Sequence, residues 1–212
     1  MTDSTHMTEL DLLVGSIFTT RPEEDRELFE EEREWLSDIQ DLLREEGVDA
    51  DLLSRPGVEI WEGGIEHFMD LYKLRLLAAY LEQGRDIAPI LDPNADLETE
   101  PDPLLAAIWD GEQPTRFAQL INHQADGGYY LPVDFPEPIW LEAEEDEPSE
   151  EGGDEPFISF GSSVGLQREL AELAGMLQQA GASSQSAPVR CLHVLRAAAD
   201  QSVANELPII VW

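Results

Sequence analysis

The chain has 212 residues, 42% of them hydrophobic, and its 46 acidic and 12 basic residues give a formal net charge of −34. The hydrophobic content suffices for a packed core, which excludes a disordered chain despite the charge. A surface this negative repels nucleic acid and anionic membranes and attracts basic proteins. We therefore expect a basic protein partner, no nucleic acid and no membrane; the oligomeric state is not indicated.

Cysteine content and hydropathy indicate the compartment. Cys191 is the single cysteine, so no internal disulfide can form. The first ten residues have neither the basic region nor the apolar region of a secretory signal, and no apolar run reaches 18 residues. The sequence therefore predicts a cytoplasmic protein.

The N-terminal half is predicted to be mainly helical. Residues 1–21 form an N-terminal segment with a short apolar run at 10–18. Apolar residues at helical spacing predict a helix over 22–46, which Pro22 begins. A short extended segment is predicted at 58–61, and a second helix, apolar on almost all sides, over 65–83 after a Gly-Gly pair.

The C-terminal half mixes short strands with helices. The predicted helices cover 103–109, 115–123, 164–180 and 189–204, and the predicted strands cover 129–131, 139–141, 157–160 and 207–211. Residues 142–155 hold nine acids and no base, and are predicted to form an acidic loop. We expect one α+β domain over 22–212, with N-terminal helices packed on a small mixed sheet formed by the C-terminal half.

The segment 120–135 is the most unusual stretch. No nucleotide-binding, hydrolase or zinc motif is present, which favours a non-enzymatic protein with no cofactor and no metal. Three side chains of this loop could nevertheless lie close together, either as a general base with its partners or as the ligands of a metal ion. Alternatively the loop is structural, with an Asx turn and packed tyrosines, or it binds a partner. The candidate residues are Asn122, His123, Asp126, Tyr129, Tyr130 and Asp134, of which His123, Asp126 and Asp134 could ligate.

A second candidate lies at 161–163. Gly161, Ser162 and Ser163 follow a predicted strand and precede a predicted helix. Free N–H groups at a helix N-terminus can bind an anion. The alternative is that a serine simply caps the helix.

Several motifs resemble a family of uncharacterised bacterial proteins with no known activity. The motifs are LINHxxxxGYYxPVDF at 120–135, GSSxxLxxEL at 161–170, WEGGI at 61–65 and YKLR at 72–75. The resemblance covers about residues 58–212 and implies a bacterial, cytosolic origin. In that pattern residue 124 is more often Ser, and the acidic insert is shorter.

Four functions remain open. The first is an acidic interaction protein that sequesters a basic protein, as an immunity protein does. The second is a small hydrolase or metal-binding enzyme centred on 120–135. The third is a protein adapted to high salt, with a role that the sequence does not reveal. The fourth is a DNA mimic, suggested by the 12 acids and three Arg of 22–46; its sign would be regular carboxylate spacing along one face.

Overall fold

The computed structural model describes residues 8–92, 101–124, 126–142 and 157–212. It contains a six-stranded sheet in the order β2-β1-β6-β3-β5-β4. The strands are β1 Leu10–Gly15, β2 Glu59–Ile65, β3 Tyr129–Leu131, β4 Ile139–Glu142, β5 Phe157–Ser162 and β6 Ile209–Val211. β3 and β5 are parallel, whereas the other four strand pairs are antiparallel. The predicted α+β class and mixed sheet are confirmed.

Helices cover both faces of this sheet. They are α1 Arg26–Glu45, α2 Phe68–Glu82, α3 Ala88–Leu91, α4 Pro103–Trp109, α5 Ala118–Ile121, α6 Ser163–Gln179 and α7 Ala187–Asn205. On one face, Leu12, Tyr130 and Ile209 pack in the larger core with α2, α6 and α7. On the other face, Leu131 and Phe160 pack in a smaller core with α1. α1 therefore has one buried side and is otherwise open to solvent.

The N-terminal half contributes more to the sheet than the sequence suggested. β1 lies within the segment 1–21 and is an interior strand between β2 and β6. Ile65, the predicted first residue of the second helix, is instead the last residue of β2, and α2 begins only at Phe68. The sheet is therefore not formed by the C-terminal half alone, because two of its six strands come from the N-terminal third.

The boundary of the first helix also differs from the prediction. The side chain of Asp25 accepts hydrogen bonds from the backbone N–H groups of Glu27 and Leu28, so the helix begins after Asp25 rather than at Pro22. Among the later elements, α6, α7, β3 and β4 lie within about two residues of their predicted bounds.

The sequence also predicts an acidic loop and no membrane-spanning segment. Of the acidic loop predicted at 142–155, only Glu142 is described; residues 143–155 lie outside the described part of the chain. Among the described residues, no helix has the length and apolarity needed to cross a bilayer.

Candidate functional site

His123 is the centre of the 120–135 loop, and it is buried. Its imidazole stacks on the Tyr130 ring, with 3.9 Å between the ring centroids. Its Nδ1 lies 2.9 Å from the carbonyl oxygen of Gln124, and its Nε2 lies 3.2 Å from the hydroxyl oxygen of Ser159. Burial lowers the pKa of His123 to about 4, so the ring is neutral near pH 7.

Both ring nitrogens face backbone carbonyls, because Nε2 also lies 3.0 Å from the carbonyl oxygen of Tyr129. The neutral ring has one N–H, so it donates either to Gln124 from Nδ1 or to Tyr129 from Nε2; in the first form Nε2 can accept from the Ser159 hydroxyl. The spacing of Ser159 and His123 is that of a nucleophile and its base, but Ser159 has no exposed surface. The pair therefore joins the loop to β5 and does not present a nucleophile to substrate.

Arg75 ties the same loop to α2. Its guanidinium is buried and donates to the carbonyl oxygen of His123 at 2.8 Å. Its Nε and the Oδ1 of Asn122 have no hydrogen-bond partner among the described residues. Both side chains line a cavity of about 610 Å³ beside Trp109 and Trp140. Because both atoms are sealed from solvent, neither is available to a ligand without a side-chain rotation.

The three predicted ligands do not share an environment. Asp126 is exposed and accepts from the side chain of Gln124, and Asp134 forms a bidentate pair with Arg168 at 2.6 and 2.8 Å. His123, in contrast, is buried. Within the described residues, no group of three or more His, Cys, Asp or Glu side chains could hold a metal ion. Tyr129 stacks on Phe160 in the smaller core, as the structural alternative expects.

The 161–163 segment caps a helix. The hydroxyl oxygen of Ser162 accepts from the backbone N–H of Gly165 at 2.9 Å, and Ser163 donates to the carbonyl oxygen of Leu131. The backbone N–H of Ser162 donates to Gln119 at 2.7 Å. Both serines have no exposed surface, so this helix N-terminus is already satisfied within the core.

A line of carboxylates runs along the solvent side of α1. Successive members are four, three, four, three and four residues apart, which is the spacing of a single helix face. They lie opposite the buried residues Leu36, Ile39 and Leu43. We call this set the acidic stripe; its members are Glu27, Glu31, Glu34, Asp38, Asp41 and Glu45, and all are exposed.

Most of the acidic stripe carries unpaired charge. Asp41 pairs with Arg44, but the other five members have no ion-pair partner among the described residues. Their spacing places one carboxylate about every 5.4 Å over a span of about 27 Å. Each phosphate of one DNA strand occupies about 3.4 Å of helix axis. The stripe thus approaches, without reaching, the linear charge density of one strand.

The sequence singled out the 120–135 loop, the helix cap and the acidic helix 22–46, but the spacing of the individual carboxylates was not worked out there. That spacing is a local signal, because the alternation of four and three residues can be read along the chain. What the sequence left open is which of the apolar residues of this helix face the core. The structure supplies that by placing Leu36, Ile39 and Leu43 against the sheet.

Fold and surface together define an acidic α+β protein. The family model described as "Putative DNA-mimic protein" matches residues 8–211, which is nearly the whole chain. The chain belongs to this family. No curated protein and no solved structure matches it significantly.

This membership corrects the expected partner. The sequence suggested a basic protein partner, for example of the immunity type, and no nucleic-acid partner. A DNA-mimic family points instead to proteins that themselves bind DNA. The negative surface still disfavours direct contact with nucleic acid.

Proposed function

We propose that the protein occupies the DNA-binding site of a DNA-binding protein and so competes with DNA. The observation that supports this most directly is the acidic stripe of α1. It presents six exposed carboxylates on one face of a 20-residue helix. DNA-binding proteins commonly neutralise about 6–10 phosphates, so the stripe offers a comparable number of anionic contacts.

The rigidity of α1 supports the same proposal. Its apolar side is fixed in the smaller core by Leu36, Ile39 and Leu43. Glu32 also accepts from the backbone N–H groups of Thr19 and Thr20 at 2.7 and 2.9 Å, which ties the helix to the preceding segment. A pre-organised row of charges loses less entropy on binding than a flexible acidic tail does.

The position of the stripe also suits competition. Its members point away from the sheet, so a partner can approach the full length of the helix. The large net negative charge around it would accelerate the encounter with a positively charged DNA-binding surface. That acceleration should weaken as salt rises.

Capture followed by DNA elution tests the proposal. Immobilised protein is incubated with nuclease-treated extract of its source cell, and bound proteins are eluted with duplex DNA and identified by mass spectrometry. Three forms are compared: the wild type, a stripe variant and a control variant with the same net charge. The stripe variant carries Glu31→Gln, Glu34→Gln and Asp38→Asn; the control carries Glu59→Gln, Glu62→Gln and Glu112→Gln, all at exposed positions outside α1.

We expect DNA to elute DNA-binding proteins from the wild type and from the control. The stripe variant should release far less, because it has lost the central charges of the row. If the stripe variant captures the same proteins, the acidic stripe is not the binding surface. If DNA elutes no DNA-binding protein from the wild type, the competition with DNA does not occur.

A further inference from the structure

Beside the acidic stripe, α1 exposes three large apolar side chains. Leu28, Trp35 and Leu42 keep 50%, 41% and 41% of their surface accessible. They are seven residues apart, so they drift only about 20° around the helix at each step. We call this row the apolar lane. It is separate from Leu36, Ile39 and Leu43, which face the core.

The lane and the stripe together have a heptad arrangement. Three residues after each apolar member comes a member of the acidic stripe, and residues three apart are neighbours on a helix surface. The pairs are Leu28 with Glu31, Trp35 with Asp38 and Leu42 with Glu45. A coiled-coil seam has apolar residues at two heptad positions flanked by charges, and the lane and the stripe supply one apolar row and one charged row of such a contact.

A surface cavity lies next to the C-terminal end of α1. Glu46, directly after α1, lines a surface cavity of about 390 Å³ with residues from the segment before β4. The lining includes Val48, Pro136 and the half-exposed Trp140. This cavity lies at the C-terminal end of α1, since Glu46 is about one helical turn after Leu42, and it offers an occupant further partly apolar surface there.

The negative charge of the stripe disfavours a second copy of the chain on this surface and favours a basic partner. A second copy of the chain would bring two acidic stripes together, and like charges across an interface repel. DNA-binding proteins often read DNA with an α-helix whose face is basic. Such a helix would pair its cations with the stripe and its apolar side chains with the lane.

We propose that the apolar lane receives a basic amphipathic helix of the partner. This rests on the proposed function and deepens it, because it specifies which element of the DNA-binding protein is held. The carboxylates would supply the salt-sensitive part of the affinity, and the lane would supply a part that salt does not screen.

Two synthetic peptides of identical composition test this. One is a 21-residue helix with one Leu per heptad and Arg at the neighbouring positions; the other is a scrambled isomer with the same charge but no apolar face. Binding is measured by fluorescence anisotropy of the labelled peptide at several KCl concentrations. The lane variant is Leu28→Gln with Leu42→Gln. The control is Ile60→Gln with Met69→Gln, which removes two apolar side chains of similar exposure outside α1.

We expect the amphipathic peptide to bind about 10- to 30-fold tighter than the scrambled isomer, as burial of the remaining exposed surface of two or three apolar side chains implies. The ratio should persist as KCl rises. It should disappear in the lane variant and remain in the control variant. Circular dichroism of each variant checks that the fold is intact.

Equal binding of the two peptides would overturn the inference, as would a lane variant that keeps the preference. A dimer of the wild type that becomes a monomer in the lane variant, seen by sedimentation, would also overturn it by placing a second copy on the lane. These results are separable from the capture experiment. Equal peptide binding with intact, stripe-dependent DNA elution would remove the inference and leave the proposed function standing.

Discussion

Replacing Glu31, Glu34 and Asp38 with their amides should stabilise the fold at low salt while it weakens partner binding. The three positions are exposed in the middle of α1. Gln has nearly the helix propensity of Glu, and Asn resembles Asp, so the backbone preference changes little. The principal change is the removal of three negative charges from a row of like charges.

The size of the gain follows from the helix geometry. The three substitutions remove five like-charge pairs at spacings of three or four residues, and no oppositely charged pair at those spacings. At about 0.2–0.5 kcal/mol for each pair, the unfolding free energy should rise by about 1–2.5 kcal/mol. The pairs are 27 with 31, 30 with 34, 31 with 34, 34 with 38, and 38 with 41.

Urea denaturation followed by far-UV circular dichroism measures this gain, because urea leaves the ionic strength unchanged. We would compare the stripe variant, the control variant and the wild type at about 20 mM and about 1 M KCl. In 1 M salt the screening length is about 3 Å, so most of the gain should disappear. The control variant should gain less, since its acids do not form a row on one helix.

Two results would refute this reasoning. If the stripe variant is less stable than the wild type at low salt, the carboxylates do not repel one another as described. If the stripe variant loses stability only in concentrated KCl, the acids are an adaptation to salt. That outcome would favour a protein adapted to high salt. It would count against the alternative, in which the carboxylates serve binding and destabilise the fold.

Three further predictions concern the core and the loop. Gly161→Ala would place a Cβ 2.5 Å from the Tyr130 ring and 2.8 Å from His123, so urea denaturation should show a loss of about 1–3 kcal/mol; unchanged stability would mean that the rings move aside easily. Burial raises the pKa of Glu169 to about 7 from 4.5, so the folded state binds the extra proton. Relative to Glu169→Gln, the wild type should lose up to about 3 kcal/mol of stability between pH 4.5 and pH 7, and a pH-independent difference in urea midpoints would contradict this. Asp134→Asn removes an exposed ion pair with Arg168 and should lower the unfolding free energy by less than about 1 kcal/mol in the same urea assay. A larger loss of stability, or the loss of DNA-eluted proteins in the capture experiment, would assign the 120–135 loop a greater role.

The long helices could be predicted because their patterns are local. In α1, apolar residues recur at helical spacing and Asp25 supplies a cap immediately before the first turn. α6 and α7 likewise follow from periodicity, with Ser162 and Pro188 at their N-terminal ends. The stripe is equally local, so its spacing could have been found in the sequence, although which of the helix's apolar residues are buried could not.

Only the first part of β2, predicted as a short extended segment, could be found in the sequence, because its continuation through the glycines has a tertiary reason. The pair Gly63-Gly64 resembles a break before a helix, but it lies inside a strand. A Cβ at Gly63 would lie 2.4 Å from the Trp61 ring, so only glycine allows that indole to cross the strand. The arrangement of the loop at 120–135 could not be predicted for a similar reason, because the burial of His123 depends on Arg75 and Ser159, which are distant in the sequence.

The position of β6 in the sheet has a consequence for how the chain folds. β6 lies between β1 and β3, so it is the only described strand that joins the β2-β1 pair to the β3-β5-β4 group. Until residues 209–211 leave the ribosome, each group has an unpaired edge that can capture a strand from another chain. Synthesis should therefore pass through an aggregation-prone interval that ends only when β6 pairs with both groups, and chaperone occupancy of nascent chains should fall sharply at that point.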